Sequence, residues 1–131
     1  MDSQREPVFV YGTLRRGASN HFRMDGADFI AAGSVRGRIY RIDWYPGLVL
    51  DDAAGEVAGE VFSVGPEHLA ELDRFEGVSA EEVEGSEYRR VRAKVTARTG
   101  ETLAAWVWEW RGPVDESRRV AGGDWLAEPE Q

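Results

Sequence analysis

The chain has 131 residues, 42% of them hydrophobic, with five Trp, five Phe, four Tyr and no Cys. That is enough for the core of one domain, and it excludes a disulfide framework, a thiolate nucleophile and a thiolate metal site. The formal net charge of −8 disfavours a polyanionic partner, and so a nucleic-acid-binding role.

No apolar run approaches the roughly 18 to 20 residues of a membrane span. The polar start MDSQREP lacks the apolar stretch of a signal peptide. A single domain over residues 1–131, cytoplasmic and away from membranes, is expected. Of the 16 basic residues only Lys94 is a lysine. Arginine suits bidentate contacts with carboxylate or phosphate, and genomic base composition produces the same skew, so both readings stay open.

Residues 7–11 are short, apolar and β-rich, with Pro7 before and Gly12 after, and predict a buried strand. The turn GTLRRG follows. Ser19 and Asn20 predict the cap of a brief helix over 21–25. Residues 29–42 predict a strand with a bend at Gly33 or Gly37. Tyr45-Pro46-Gly47 reads as a turn, residues 48–50 as a short strand, and 51–55 as a loop. Residues 57–64 form the next predicted strand, with Val57, Gly59, Val61 and Ser63 on one face.

The strongest helix signal is GPEHLAELDRFEG. Pro66 takes the first helical position and Glu67 the first turn, where the macrodipole favours an acid. Leu69, Leu72 and Phe75 make a narrow apolar stripe, and Gly77 supplies the left-handed cap. A glutamate-rich loop is predicted over 78–85. Val91, Ala93, Val95 and Ala97 then alternate with polar neighbours up to a hairpin turn at Thr99-Gly100. The return strand TLAAWVWEW places Trp106, Trp108 and Trp110 on one face and Val107 on the other. After Pro113 the chain reads as irregular, with Asp124-Trp125-Leu126 docking back.

Several chemistries lack their residues. There is no G-x-S-x-G elbow, and His21 and His68 show no ligand spacing for zinc. GTLRRG lacks the Gly-Lys-Ser/Thr of a phosphate-binding loop, and the dinucleotide fingerprint is absent. The Trp stripe would suit stacking on single-stranded nucleic acid, but with this net charge a core or dimer face is the preferred reading. Glu76 breaks a local rule. It stands just before Gly77, where the negative helix end disfavours a carboxylate and raises its pKa, and burial would raise it further. A carboxyl tuned upward can take and return a proton near neutral pH. A solvated surface glutamate is the other reading, and position alone leaves both open.

Six segments stand in order along the chain: YGTLRRG at 11–17, YPGLV at 45–49, GEVF at 59–62, LDRFEG at 72–77, EYRRV at 87–91 and GDWL at 123–126. Together they resemble the γ-glutamylcyclotransferase-like (AIG2-like) family over about residues 7–126. The nearest branch is that of the bacterial short proteins and the γ-glutamylamine cyclotransferases. The resemblance implies an α+β fold: a small mixed β-barrel with one main helix and short flanking helices. It implies release of an amine or amino acid from a γ-glutamyl compound, with the glutamyl part closing to 5-oxoproline.

In residue terms the resemblance assigns the acid/base role to Glu76 and the substrate cradle to Tyr11, Gly12, Thr13 and Leu14. Tyr88 becomes a pocket residue, and Tyr45 and Pro46 line the cavity wall. Thr13 stands where many relatives have serine. Some members of the short bacterial branch lack the glutamate, so its presence here favours activity. The Gly12-Thr13-Leu14 amides would form a nest for the substrate α-carboxylate, leaving Arg15 and Arg16 to solvent. No cofactor, metal, nucleic acid or membrane is expected. The expected partner is a small γ-glutamyl substrate, and the expected state a monomer or homodimer. A non-catalytic binding or regulatory module of the same fold is the competing reading.

Overall fold

A computed structural model of the chain describes residues 5–79 and 84–127. Among these, eight strands form in chain order: β1 (Glu6–Val10), β2 (Asp28–Arg41), β3 (Pro46–Leu50), β4 (Glu56–Val64), β5 (Val78–Ser79), β6 (Glu84–Gly85), β7 (Tyr88–Ala97) and β8 (Thr102–Trp110). One α-helix, α1 (Pro66–Phe75), connects β4 to β5, and short 3₁₀ turns lie at His21–Met24, Glu116–Arg118 and Trp125–Ala127.

The strand order is β3-β2-β4-β1-β8-β7-β6-β5, and β2 pairs with β7 as well. This extra pairing closes β2, β4, β1, β8 and β7 into a five-stranded barrel. The barrel is mixed, because β1 runs parallel to β8 while the other pairs are antiparallel. An α+β barrel with one main helix is therefore the architecture.

Strand β2 makes closure possible by serving three partners. Residues 28–36 pair with β4, Gly33 and Ser34 meet Ala97 and Thr96 of β7, and residues 37–41 pair with β3. A Cβ on Gly33 would stand 2.7 Å from the Thr96 carbonyl oxygen, and one on Gly37 2.6 Å from that of Val49. Both glycines are thus explained by close backbone approach. The register of β2 against β4 also shifts between Phe29 and Ala31, skipping Ile30, as a β-bulge does.

Two cores form because both faces of the barrel wall are covered. Phe9, Val35, Val57, Val61, Val95 and Val107 come from all five barrel strands and fill its interior. On the outer side Val8, Val10, Phe62, Val64 and Trp108 pack against Leu69 and Leu72 of α1. Each fully buried leucine contributes roughly 1.5–3 kcal/mol. Gly59 lies where this wall is tightest: an added Cβ would meet the Val10 carbonyl oxygen at 2.3 Å and Phe9 Cζ at 2.5 Å. Gly59→Ala is expected to lower stability by about 1–3 kcal/mol, measurable by urea unfolding.

The helix begins with Pro66 at its first position and ends at Glu76, followed by Gly77 at φ +74°. The hairpin between β7 and β8 closes with Gly100 at φ +99° and a 2.8 Å bond from its N–H to the Ala97 carbonyl. Trp108 is buried, Trp106 and Trp110 are half-buried against the same cluster, and Val107 joins the opposite one. All three indole N–H groups are taken, by Glu6, Asp73 and the Pro113 carbonyl. The stripe is spent on packing.

Three local expectations change. Pro46 and Gly47 belong to β3 and pair with Arg41 and Tyr40, so the chain reverses earlier, over 42–45. The brief helix expected over 21–25 forms as a 3₁₀ helix over His21–Met24, but the Asn20 side chain gives it no cap bond. Part of the predicted 78–85 loop lies outside the described residues; its flanks pair as β5 and β6.

Candidate active site

The turn after β1 is fixed from below. Its backbone closes through bonds from the Arg15 N–H to the Gly12 carbonyl (3.1 Å) and from the Asn20 N–H to the Thr13 carbonyl (2.8 Å). Glu60, only 4% exposed, accepts the Arg16 backbone N–H at 2.9 Å and the Arg15 guanidinium at 3.0 Å. Arg15 also reaches Asp124 at 2.8 Å. The expectation that Arg15 is solvated is thereby corrected, because its charge is consumed in holding the turn to β4 and to the GDWL segment. Arg16 remains exposed, its guanidinium 4.0 Å from the centre of the Phe29 ring.

A Cβ on Gly12 would overlap Pro46 Cγ at 2.5 Å, so glycine there lets the turn press against the start of β3. Among the described residues, none accepts a hydrogen bond from the backbone N–H of Gly12, Thr13 or Leu14. Buried N–H groups are nearly always paired. Three successive free donors are a feature that calls for an acceptor.

Between this turn, the end of α1, the start of β7 and the 44–46 segment lies a cleft of about 170 Å³. Tyr11, Gly12, Thr13, Leu14, Tyr45, Pro46, Glu76 and Tyr88 all line it. So do Trp44, Phe75, Glu87 and Trp108, none of which the sequence reading assigned to the site. Among the described residues its only charged lining residues are Glu76 and Glu87. Among the described residues no group of three His, Cys, Asp or Glu side chains is placed to hold a metal ion.

Two tyrosines frame the cleft with hydroxyls already engaged. Tyr11 donates to the Trp108 carbonyl at 2.8 Å and accepts from the Leu48 N–H at 3.2 Å. Tyr88 donates to the Pro46 carbonyl at 2.7 Å. Burial pushes both phenols up, with the Glu76 charge adding to each. They stay neutral and hold three strands around the cleft. Tyr45 is also pushed up, first by burial and then by the charge of Glu87.

Glu76 is half-buried, and its backbone N–H still donates to Leu72 at 2.9 Å. Its pKa rises from 4.5 to about 8. Burial is the largest cause, followed by the Asp73 charge, while Arg23 partly offsets both. Asp73 is 1% exposed and holds Arg90 Nε at 2.9 Å and Trp108 Nε1 at 2.9 Å. This buried group pins the last turn of α1 to β7 and β8, and so fixes where Glu76 points. A sequence signal for it existed: Leu69, Leu72, Asp73 and Glu76 stand at i, i+3, i+4 and i+7, the spacing of one helix face. Glu87 and Trp44 carried no signal beyond lying beside Tyr88 and Tyr45.

A closed mixed barrel with an acid-lined cleft at the C-terminal end of its one helix defines a protein of the γ-glutamyl cyclotransferase fold. The family model for γ-glutamyl cyclotransferase, AIG2-like, matches residues 8–127. The chain is 32% identical over 120 residues to the γ-glutamylcyclotransferase family protein YtfP of Escherichia coli K12, spanning 91% of this chain and 95% of that protein. Among solved structures, an AIG2-like protein from Mus musculus superposes with a TM-score of 0.70 at 25% identity, covering 98% of this chain and 86% of that one. YkqA from Bacillus subtilis superposes at a TM-score of 0.73 and 23% identity over 92% of this chain and 39% of that one, a likeness of fold. The chain belongs to the AIG2-like γ-glutamyl cyclotransferase family.

Proposed function

We propose that this protein is an active γ-glutamyl cyclotransferase that converts a small γ-glutamyl amine or peptide to 5-oxoproline and the free amine. The observation that carries this reading is the meeting of Glu76, with its pKa near 8, and the unpaired Gly12–Leu14 donors in one cleft. The three N–H groups receive the substrate α-carboxylate. With no cationic side chain lining the cleft among the described residues, backbone dipoles are the donors on hand.

The substrate supplies its own nucleophile. Its α-amine lone pair attacks the γ-carbonyl carbon, forming the ring C–N bond, and the proton leaving that nitrogen passes to the Glu76 carboxylate. As the carbonyl re-forms, the amide C–N bond breaks and Glu76 returns the proton to the departing nitrogen. No water or co-reactant is consumed. Intramolecular attack in a held geometry can be worth effective molarities of roughly 10⁵–10⁸ M, so positioning and one proton carrier suffice. Tyr11, Tyr45, Pro46 and Tyr88 shape the cleft that holds the chain folded back on itself.

A panel of γ-glutamyl amines and dipeptides, assayed for 5-oxoproline by mass spectrometry, tests the reading. Release from at least one member is expected. Ligand-dependent thermal stabilisation with no product from any member would instead mark a binding module.

A further inference from the structure

Beneath the turn that offers three open N–H groups the fold has buried a carboxylate. Glu60 pairs across with Val10, the residue just before that turn. Its side chain is 5% exposed and directs both oxygens at the turn: Oε1 accepts the Arg16 backbone N–H at 2.9 Å, and Oε2 the Arg15 Nε at 3.0 Å. The Arg16 N–H lies two residues beyond Leu14, so chain length alone keeps the Glu60 charge within about 10 Å of the Leu14 N–H. An anion held there is repelled by that charge across little solvent. Arg15 offsets the repulsion. It is the ion-pair partner of Glu60 and is itself only 12% exposed. The second carboxylate on Arg15, Asp124, is 37% exposed, and the Arg16 guanidinium is exposed beside Phe29. Water screens those two outer charges far more than the inner pair. None of Arg15, Glu60 and Asp124 lines the cleft, so any effect they have on a ligand passes through the turn.

We propose that Arg15 is a positioning residue for substrate binding: it neutralises Glu60 under the turn, so that the Gly12–Leu14 amides can hold the glutamyl α-carboxylate. This rests on the cyclotransferase reading for the identity of that carboxylate. Glu60 sets the shape of the turn by accepting two donors, and Arg15 cancels the charge that this arrangement introduces. The role is electrostatic as well as mechanical, and the two can be separated. In a purely mechanical clamp, loss of a second member of the network only loosens the turn further. In a neutralising pair, removing the Glu60 charge makes good the loss of Arg15, a coupling of opposite sign.

The test compares two ligands, γ-glutamylbutylamide and its α-carboxamide, and reads the ratio of their affinities. Calorimetry near pH 7 supplies the ratio, with Glu76→Gln as a background that stops turnover; 5-oxoproline release is followed with Glu76 intact. The background chain is expected to favour the carboxylate ligand by about tenfold or more. Adding Arg15→Met should cut that ratio by about tenfold and leave affinity for the carboxamide within about threefold. Arg15→Lys keeps the charge and loses the fork, and should hold the ratio within about threefold. Arg15→Met combined with Glu60→Gln should restore most of the ratio, because the glutamine amide oxygen still accepts the Arg16 N–H and carries no charge. Glu60→Gln alone leaves net positive charge under the turn and should raise the ratio by about threefold, a gain that misfolding cannot imitate. With Glu76 intact, Arg15→Met should raise KM while kcat changes by less than about threefold. No carboxylate preference in the background chain, a ratio unmoved by Arg15→Met, a double variant weaker than the single one, or no gain in Glu60→Gln overturns the inference. The expected ratios without 5-oxoproline from the parent would sustain the role of Arg15 and end the cyclotransferase reading.

Discussion

Glu76→Gln is expected to lower 5-oxoproline formation by about 10²–10⁴-fold, the usual worth of a general acid–base group, and to make the protein more stable at pH 9. The second half follows from the same pKa. In the unfolded chain Glu76 loses its proton near 4.5, whereas in the folded protein it holds it to about 8. Between those values the native state binds more protons than the unfolded one, so stability falls as pH rises. The contribution of the protonated carboxyl is fully present below 4.5 and is lost as pH passes through 8. At about 1.4 kcal/mol per pH unit, the loss across the window is of order 3–5 kcal/mol.

Glutamine resembles the protonated acid in size and lacks the charge. Urea unfolding of the parent and variant should therefore agree near pH 4.5, diverge steadily between 4.5 and 8, and stay apart above pH 8, the variant being the more stable. Equal stability at pH 9 would mean that Glu76 is not held in a desolvated site. Kinetically, kcat/KM of the parent should rise about tenfold per unit below pH 8 as the free enzyme gains its carboxylate, and this rising limb should vanish in the variant. Loss of function with gain of stability is what an active-site group held out of its preferred state produces.

Asp73→Ala should be the most damaging single change away from the cleft, costing about 3–5 kcal/mol in urea unfolding. It would leave the Arg90 guanidinium buried without its partner and the Trp108 indole N–H without its acceptor. Breaking a buried pair by removing one member is costly in this way. The double variant Asp73→Leu with Arg90→Met should recover much of the loss, because two apolar groups need no pairing. Asp73→Asn separates structure from tuning. Removing the charge that helps to raise Glu76 should move the rising limb of kcat/KM to lower pH. An unmoved limb would show that burial alone sets that pKa.

The pairing networks explain which parts of the molecule could be read from residues in a row. Helix α1 was legible because Pro66, the 69–72–75 stripe and Gly77 lie within a dozen residues and obey local rules. The β7–β8 hairpin and the division of Trp108 and Val107 between two faces were legible for the same reason, since strand alternation needs no knowledge of partners. The residues that the resemblance assigned to the site sit in short contiguous segments with a family pattern, and the fold brings those segments to one cleft. Glu87 opens the EYRRV segment and Trp44 stands one residue before YPGLV, but nothing in their local spacing distinguishes them from ordinary surface residues.

What only the tertiary structure decided concerns groups distant along the chain. Arg15 reaches Glu60 and Asp124, 45 and 109 residues away, so its fate as a structural clamp could not be read from GTLRRG. Barrel closure depends on a crossing of β2 with β7 at two residues, and the bulge at Ile30 depends on how β2 meets β4. The sequence placed Glu76 at an unfavourable helix end. The tertiary structure supplied the larger cause of its high pKa, burial in the cleft beside Asp73. Periodicity and capping act between near neighbours and are written in the order of residues. Desolvation and ion pairing depend on which surfaces meet, and that is settled only when the barrel closes.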